Sequence, residues 1–309
     1  MQRLIKLMGI EVDEKGALHP KQPALPERRY TLETALADAN STPEFFEKLL
    51  RLLDRRRQII LQGAPGTGKT YLARILQRYL TDATDDQADV VQFHPSYAYE
   101  DFVEGYRPIE GGGAVLKPGI FRLFCEKAHI SHKAGDGKKY VLLLDEINRG
   151  NLAKIFGELL YLLEYRNQRV KLAYRPEEDF HIPENVYLIG TMNTADRSLS
   201  LVDYALRRRF SFVTLRTDYS LIARQPASGF SPERLAENVQ ELNRTLALTP
   251  SLGEGFAIGH SYFVNPRLPL DSQSLGDIWE YELSPLLAEY FLDEEVRVEE
   301  FKKLFFKGL

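Results

Sequence analysis

The stretch that decides the fold reads Gln58-Ile59-Ile60-Leu61-Gln62-Gly63-Ala64-Pro65-Gly66-Thr67-Gly68-Lys69-Thr70. Its first part is a short apolar run, typical of a buried strand, and the rest matches the phosphate-loop pattern G-x-x-x-x-G-K-[ST] in full. Glycines let the backbone turn so tightly that successive N–H groups point into one concavity, and the following helix adds its positive N-terminal end. The stretch therefore predicts a triphosphate-binding loop made of Gly63, Ala64, Pro65, Gly66, Thr67, Gly68, Lys69 and Thr70.

The last two residues of this loop carry separate chemistry. Lys69 supplies a compact positive charge for the β- and γ-phosphates. Thr70 supplies a hydroxyl oxygen, which is the kind of ligand that Mg²⁺ prefers. Apolar residues such as Ile75 and Tyr79 then recur at helical spacing, so we predict an amphipathic helix over Thr70–Leu80.

Short apolar runs alternate with helical patterns farther along the chain. The run Val141-Leu142-Leu143-Leu144 is apolar at consecutive positions, which indicates a strand covered on both faces. Alternating strands and helices predict an α/β fold with a five-stranded, parallel, doubly wound sheet. The predicted strands are Gln58–Gln62, Asp89–Phe93, Tyr140–Leu144, Asn185–Gly190 and Phe210–Leu215. We also predict a helix over Leu152–Glu164 and hairpins over Val103–Gly119 and Arg166–Pro183.

The same patterns divide the chain into three segments. Residues 1–29 are polar and Pro-rich, and they are interpreted as a linker or a residual N-terminal segment. Residues 30–225 hold all the predicted strands and form the α/β nucleotide-binding core. After that point the strand signals fade, so residues 226–309 are predicted to form a mainly helical lid subdomain, apart from the short Phe256–Val264 segment.

A pair of acids ends the third predicted strand, which reads Leu142-Leu143-Leu144-Asp145-Glu146. Ligands bind beside the carboxyl ends of strands in such sheets, so this sequence has the form of a Walker B strand. Neighbouring side chains diverge, so the two acids have different roles. We predict that Asp145 holds Mg²⁺ and that Glu146 orients the attacking water. The alternative is that the two acids form a solvated helix N-cap. The presence of a phosphate loop in the same chain disfavours that alternative.

The fourth predicted strand is followed by a polar segment that contains Met192 and Asn193. An asparagine amide can hydrogen-bond a water molecule or a γ-phosphate oxygen without competing with Mg²⁺ for charge. Asp196 and Arg197 follow in the same segment. For those two residues, a functional role and a mutual pairing that only stabilises the loop are equal alternatives.

Three cations precede the fifth predicted strand in Leu206-Arg207-Arg208-Arg209-Phe210. Such runs are usually solvated surface charges. Here they end a helix that starts near Leu201, so Arg208 or Arg209 could project away from the chain's own nucleotide. Arginine reaches phosphate oxygens with two donors at once, and either residue could serve a neighbouring subunit as an arginine finger.

Bulk properties restrict the class of protein further. The chain has 309 residues, a formal net charge of −4 and a single cysteine, Cys125. This balance does not favour a nucleic-acid coat or a membrane-surface protein, and a lone cysteine excludes an internal disulfide. No apolar stretch approaches the length of a membrane span or a signal peptide core, so a cytoplasmic location is expected.

Taken together, these motifs resemble those of AAA+ ATPases, and more narrowly the motor domains of the McrB family. The resemblance covers roughly Gln58 to Phe291. It rests on stretches that include Ser96–Phe102, Asp145-Glu146-Ile147-Asn148-Arg149, Met192–Ser198, Val202–Phe210 and Ile258-Gly259-His260-Ser261-Tyr262-Phe263.

Membership of that family implies several properties. McrB-type motors hydrolyse GTP rather than ATP, form hexameric rings, and are stimulated by an McrC-type nuclease that cuts DNA. By the same resemblance Asn193 is the sensor, Glu146 the hydrolytic carboxylate, and Arg208 or Arg209 the finger given in trans. Asn148 and Arg149 would tune the position of the water. Members of the family carry an N-terminal domain that reads the modified DNA, whereas residues 1–29 are a short segment. Either that domain was cut away or this is a motor-only relative whose partner reads DNA, so recognition of a modified base is not assigned.

Three functions are therefore in competition. The first is a GTP-hydrolysing ring motor that drives DNA translocation for a nuclease partner. The second is an ATP-driven remodeller of protein partners, as in MoxR-like chaperones. The third is a nucleotide-gated scaffold that binds but hardly turns over.

Overall fold

The computed structural model describes residues 10–12, 18–20, 30–195, 204–250, 252–264, 269–292 and 295–309. Its strands are β1 (Ile10–Val12), β2 (Leu18–Pro20), β3 (Gln58–Gly63), β4 (Ala88–Gln92), β5 (Glu104–Pro108), β6 (Ala114–Pro118), β7 (Tyr140–Asp145), β8 (Val170–Leu172), β9 (Arg175–Phe180), β10 (Val186–Asn193), β11 (Ser211–Thr214), β12 (Ala227–Ser228) and β13 (Leu270–Asp271). Its helices are α1 (Leu32–Ala39), α2 (Pro43–Arg56), α3 (Lys69–Leu80), α4 (Tyr99–Phe102), α5 (Ile120–Ala134), α6 (Leu152–Phe156), α7 (Leu159–Glu164), α8 (Tyr204–Arg209), α9 (Tyr219–Ala223), α10 (Pro232–Leu248), α11 (Ser272–Ile278), α12 (Ser284–Tyr290) and α13 (Glu295–Phe305).

A five-stranded sheet forms the centre of the molecule, in the order β11-β3-β10-β7-β4 with all neighbours parallel. The predicted parallel sheet and its five strands are confirmed. The predicted strand ends differ from the observed ends by at most one residue, with one exception. The fourth strand continues past Gly190 to Asn193, because Thr191, Met192 and Asn193 stay in register with β3. These residues are therefore part of the sheet rather than of the loop after it.

The strand order determines which ends of the strands meet. Two connections skip over neighbouring strands. The chain passes from β3 to the edge strand β4, which leaves room for β7 and β10 between them, and it later passes from β10 over β3 to β11. In register, Asn193 pairs with Gly63 and Gln92 pairs with Asp145. The phosphate loop, the acidic strand end and the predicted sensor therefore share the carboxyl edge of the sheet.

Helices cover both faces of the sheet, as the consecutive apolar residues require. On one face, buried side chains of α1, α2 and α3 pack against Ile59, Leu61 and their neighbours. On the other face, α4 to α8 pack against Ile60 and Leu144. Residues that alternate along β3 thus point into two separate cores.

The helix predicted over Leu152–Glu164 was wrong at its centre. The chain forms two short helices, α6 and α7, that are broken at Gly157, whose φ is 49°. A β-carbon at Gly157 would lie 3.2 Å from the ring of Tyr99. Glycine is the residue that adopts this left-handed backbone without strain, and it also lets the Tyr99 ring approach.

Two hairpins leave the core where the sequence predicted them: β5 with β6, and β8 with β9. A partly buried ion cluster joins the base of the first hairpin to β9 of the second, including its turn end at Arg175. The fully buried Glu104 contacts Arg122 of α5, and its Oε2 lies 3.2 Å from Arg175 Nε. Arg122 also reaches Glu178 of β9 at 2.7 Å. The hairpins are therefore held together as one unit.

The C-terminal part of the chain is mainly helical and has its own apolar core. Leu242, Trp279 and Phe305 are among its buried side chains, and Ile222 of α9 belongs to the same cluster. A lid boundary at residue 226 stays a prediction. In the predicted linker, β1 and β2 pair as an antiparallel ribbon, and residues 1–9, 13–17 and 21–29 lie outside the described residues. No helix in the described part of the chain is both long and apolar enough to cross a membrane.

Candidate functional site

The phosphate loop follows β3 and opens helix α3, as the motif requires. Gly66 and Gly68 have φ values of 76° and 77°, a backbone region that side chains with a β-carbon disfavour. Gly68 is the N-cap of α3 and has no side chain to cover the first N–H groups of the helix. Those groups therefore face an anion site without a competing cap.

The loop lysine lies inside the loop. The Lys69 side chain is buried, and its ammonium group donates to the carbonyl oxygen of Ala64 at 2.8 Å. The Thr67 hydroxyl donates to the same carbonyl at 2.8 Å. The ammonium group thus lies at the centre of the concavity, where the predicted phosphates would be.

The two predicted metal ligands are brought together from distant parts of the sequence. The Thr70 hydroxyl at the start of α3 donates to Asp145 Oδ1 at the end of β7, at 2.9 Å. A hydroxyl and a carboxylate are hard oxygen donors, and Mg²⁺ usually takes one or two such protein ligands together with phosphates and waters. The donor set therefore fits Mg²⁺.

Thr191 is a third residue at this position that sequence reasoning missed. Its hydroxyl donates to Asp145 Oδ1 at 2.5 Å and accepts from the backbone N–H of Glu146 at 3.2 Å. It is 2% exposed. The signal was available: Thr191 is a polar residue in an otherwise apolar buried strand, and such a hydroxyl needs a partner.

The predicted hydrolytic carboxylate and the predicted sensor touch each other. The side-chain amide of Asn193 donates to Glu146 Oε1. Arg149 Nε lies 3.5 Å from Glu146 Oε2 on the other side. Glu146 itself has a φ of 52°, a left-handed conformation that is strained for a side-chain-bearing residue and is often found at functional sites. Glu146 is thereby oriented next to the phosphate loop.

Asn148 contributes to this arrangement by a hydrogen bond to the backbone of Asn193. It is 5% exposed, and its amide donates to the backbone carbonyl of Asn193 at 3.2 Å. Its Oδ1 is buried and has no hydrogen-bond partner among the described residues. Asn148 therefore positions the Asn193 backbone, and its carbonyl oxygen offers an acceptor for a water molecule.

The arginine run lies at the opposite edge of the sheet. Gln58, the first residue of β3, donates to the carbonyl of Arg209 at 2.9 Å. Gly63 is the last residue of the same strand, roughly 16 Å farther along. The structure therefore does not bring Arg208 and Arg209 to the phosphate loop of their own chain.

Exposure distinguishes the two arginines. The Arg208 side chain is 76% exposed and lies 3.4 Å from Glu164, whereas the Arg209 side chain is 16% exposed and lies 3.0 Å from the same carboxylate. Arg209 is thus built into the fold, and Arg208 extends from it. Asp196 and Arg197, the two other predicted residues of this region, lie outside the described residues.

Two cavities flank the phosphate loop and were not predicted from the sequence. One has a volume of about 560 Å³ and extends toward α1 and α2. Its lining includes Asn40, Ser41, Tyr71, Asp218 and His260. The other has a volume of about 720 Å³ and extends between the sheet and α10. Its lining includes Gly63, Thr194, Arg216, Glu241 and Gly255.

Comparison with known proteins identifies the family that this chain matches. Residues 58–210 match the model of the AAA domain (dynein-related subfamily), and residues 234–299 match the McrB alpha-helical lid domain. The chain is 44% identical, over 282 residues, to the type IV methyl-directed restriction enzyme EcoKMcrB subunit of Escherichia coli K12. It is 28% identical, over 216 residues, to the type II restriction enzyme BsuMI component YdiS of Bacillus subtilis 168.

The extent of these matches differs between the chains. The first alignment covers 86% of this chain and 60% of the relative, and the second covers 57% and 61%. The crystal structure of a proposed ATPase from Cytophaga hutchinsonii aligns over 90% of this chain and 85% of its own, with a TM-score of 0.38 and 15% identity. This chain thus spans about 60% of the length of the curated relatives that it matches.

Proposed function

Since this chain belongs to the McrB family of AAA proteins, we propose that it is the GTP-hydrolysing, Mg²⁺-dependent motor of a restriction system. The observation that carries the proposal is the meeting of two pairs, Thr70 with Asp145 and Asn193 with Glu146, beside one phosphate loop. These pairs supply what hydrolysis of a triphosphate needs: a cation site and an oriented carboxylate.

In this proposal the chain's own groups bind the triphosphate first. The N–H groups of the loop and of the first turn of α3 bind the phosphate oxygens. The Lys69 ammonium exchanges the Ala64 carbonyl for charged phosphate acceptors, which form stronger hydrogen bonds. Thr70 and Asp145 would hold Mg²⁺, which would supply positive charge to offset that of the phosphates.

Hydrolysis then depends on Glu146. Its carboxylate orients the attacking water and accepts a proton from it. The amide of Asn193 keeps that carboxylate in place and is close enough to share the same water. The side-chain amide of Asn148 donates to the backbone carbonyl of Asn193, so Asn148 acts as a positioning residue.

A preference for guanine is supported by the smaller cavity. Asp218 lines it, and Oδ1 of this residue accepts from the backbone N–H and the hydroxyl of Ser220, at 2.9 and 2.7 Å. With Oδ1 engaged by Ser220, the carboxylate can accept from the N1–H of guanine through Oδ2. Adenine presents an unprotonated N1 on the corresponding edge, so a carboxylate there disfavours it. We assign Asp218 as the residue that selects guanine.

Competition binding tests this assignment. Wild-type protein with Mg²⁺ should bind GTP more tightly than ATP, and Asp218→Asn should lower the ratio of the two affinities. A matched control is Asp86→Asn, which makes the same change at an exposed position. Tighter binding of ATP by the wild type would reject guanine selection and favour the ATP-driven remodeller.

We further propose that the motor works as a hexameric ring with an McrC-type nuclease partner and with DNA passing through the assembly. The exposed Arg208 at the edge opposite the phosphate loop supports completion of each site by a neighbouring subunit. The names of both curated relatives, which are components of restriction enzymes, support the restriction context. GTP hydrolysis per subunit should rise with protein concentration and again when the nuclease partner is added. A rate per subunit that is constant under both changes would refute the ring proposal.

A further inference from the structure

A short segment of the lid lies directly on the phosphate loop. We call residues Ile258–Tyr262 the lid latch. The backbone N–H of Ser261 donates to the carbonyl of Gly66 at 3.0 Å. A β-carbon built on Gly259 would lie 2.0 Å from the carbonyl carbon of Gly66 and 2.4 Å from the carbonyl oxygen of Pro65. The two backbones are therefore in contact, and Gly259 leaves no room for a side chain.

The contact is equally close from the other side. A β-carbon on Gly66 would lie 2.9 Å from the Ser261 hydroxyl and 3.0 Å from the ring of Tyr262. Gly66 is thus required twice, once by its positive φ and once by the latch. The latch covers the middle of the loop and limits the shapes that the loop can adopt.

The latch is also tied firmly to the lid. The buried Asn243 of α10 donates to the Ile258 carbonyl at 2.9 Å and accepts from the Ile258 N–H at 2.6 Å. From the core side, the Thr217 hydroxyl, in the segment between β11 and α9, donates to the same carbonyl at 2.8 Å. Because Ile258 itself is fully buried in the lid core, a movement of the lid must carry the latch with it.

His260 gives the latch a polar group that faces the loop. The backbone N–H of Asp218 donates to Nδ1 of His260 at 3.2 Å. A backbone amide only donates, so Nδ1 is unprotonated and the ring carries its proton on Nε2. A β-carbon on Gly68 would lie 3.5 Å from that Nε2. His260 also lines the smaller cavity, so it stands between the loop and the predicted base site.

Burial of the ring favours this neutral form. Burial lowers the pKa of His260, and the Asp218 carboxylate partly opposes that shift. The ring therefore offers a hydrogen bond rather than a positive charge. A neutral donor suits an oxygen acceptor at the junction of phosphate and ribose, next to the charge that Lys69 already supplies.

We propose that the lid latch couples lid position to nucleotide binding. Gly259 and Ser261 hold the phosphate loop in its binding shape, and the Nε2–H of His260 donates a hydrogen bond to the bound nucleotide. This inference rests on the proposed function, because it assumes that the loop binds a nucleotide. Coupling of this kind is reciprocal, so a nucleotide that needs the docked latch must also stabilise it.

Two glycine variants test the backbone contact. Gly259→Ala should weaken binding of Mg²⁺–GTP about 10-fold or more, because overpacking by one methyl group disturbs the loop. Gly276→Ala is the matched control, since Gly276 lies in lid helix α11 and a β-carbon there meets nothing within 4 Å. It should stay within about 2-fold of wild type. If wild type binds and Gly259→Ala binds equally well, the latch is refuted. If wild type binds no nucleotide, the proposed function fails instead.

Three histidine variants test the donor. His260→Gln can keep an N–H at the Nε2 position, whereas His260→Asn and His260→Ala cannot. We expect His260→Ala and His260→Asn to weaken GTP binding about 3- to 10-fold and His260→Gln to retain it, as loss of one hydrogen bond predicts. Equal affinities in all three variants would refute donation by His260.

Hydrogen exchange tests the coupling without a mutation. Addition of Mg²⁺–GTP to wild-type protein should slow amide exchange in residues 258–262, and most at Ser261, whose N–H bonds Gly66. Exchange that is unchanged at Ser261 while GTP is bound would contradict the proposal.

Discussion

The side-chain oxygens of Thr70 and Asp145 lie 2.9 Å apart, although the two residues come from α3 and β7. Strand β10 lies between β7 and β3, the strand that leads into α3, and its Thr191 also donates to Asp145. The candidate metal site therefore depends on the strand order as much as on the two motifs.

Asp145→Asn tests that site. The change keeps the size of the side chain but removes the charge that an Mg²⁺ ligand supplies. GTP affinity measured with Mg²⁺ should fall at least about 10-fold, while the affinity measured with EDTA changes little. Asp86→Asn, at an exposed position, should leave both affinities unchanged. An Asp145→Asn protein whose affinity still rises fully with Mg²⁺ would remove Asp145 from the metal site.

Glu146→Gln separates binding from hydrolysis. The amide cannot accept a proton from water, but it occupies the same volume next to Asn193. Turnover should drop by roughly 100-fold or more, with GTP affinity within a few-fold of wild type. The measurement is phosphate release at saturating GTP, together with a binding titration. Retained turnover would take Glu146 out of the catalytic role.

Arg208→Ala tests whether one subunit completes the site of another. Because Arg208 is exposed, its loss should spare the unfolding temperature and GTP binding while reducing hydrolysis by the assembly. Arg209→Ala should also lower the unfolding temperature, since Arg209 is built into the fold beside Glu164. Arg207→Ala, at the neighbouring exposed position, is the control and should leave hydrolysis unchanged.

Mixing experiments then decide between cis and trans action. Arg208→Ala chains keep Glu146, and Glu146→Gln chains keep Arg208. A mixture of the two should hydrolyse GTP faster than either protein alone. No recovery of activity in mixed assemblies would argue against a finger given in trans.

Acid should destabilise the protein through a histidine pair. The rings of His129 and His181 have centroids 4.7 Å apart. Burial is the first cause that lowers the pKa of both residues; the next cause is the charge of Lys133 for His129 and the charge of His129 itself for His181. The unfolded chain binds these protons near its ordinary pKa of about 6.5, so the stability from the neutral pair is present above that pH and is lost as the pH falls.

His181→Gln should therefore reduce the fall in unfolding temperature between about pH 7.5 and about pH 5.5. His94→Gln, at an exposed position in another part of the core, serves as the control and should leave that fall as it is in wild type. An identical acid sensitivity in wild type and His181→Gln would show that the pair is not responsible.

Much of the fold was predictable because local patterns and global structure agree. The phosphate loop identified the first strand and helix, and consecutive apolar residues such as Leu142 and Leu143 identified a strand buried on both faces. The break at Gly157 was missed because its cause is a contact with Tyr99, which lies 58 positions earlier in the sequence. An isolated glycine in a helical pattern was the available signal.

The site was predictable where chemistry follows a motif and not where it follows packing. Asp145, Glu146 and Asn193 stand at strand ends, and the sheet brings them together. Thr191 and Asp218 have no motif, and only the strand register and the lid position place them near the nucleotide site. Such contacts join segments that are far apart in the chain; the sequence indicates that the Thr191 hydroxyl needs a partner, but not that the partner is Asp145.

Calorimetric titration of the protein with GTP and with ATP in the presence of Mg²⁺, for wild type and for Lys69→Ala, tests the triphosphate site most directly. Wild type should bind both nucleotides and bind GTP more tightly than ATP, and loss of the Lys69 ammonium should weaken binding at least about 10-fold. If neither nucleotide binds, or if Lys69→Ala binds as tightly as wild type, the loop from Gly63 to Thr70 is not a triphosphate site.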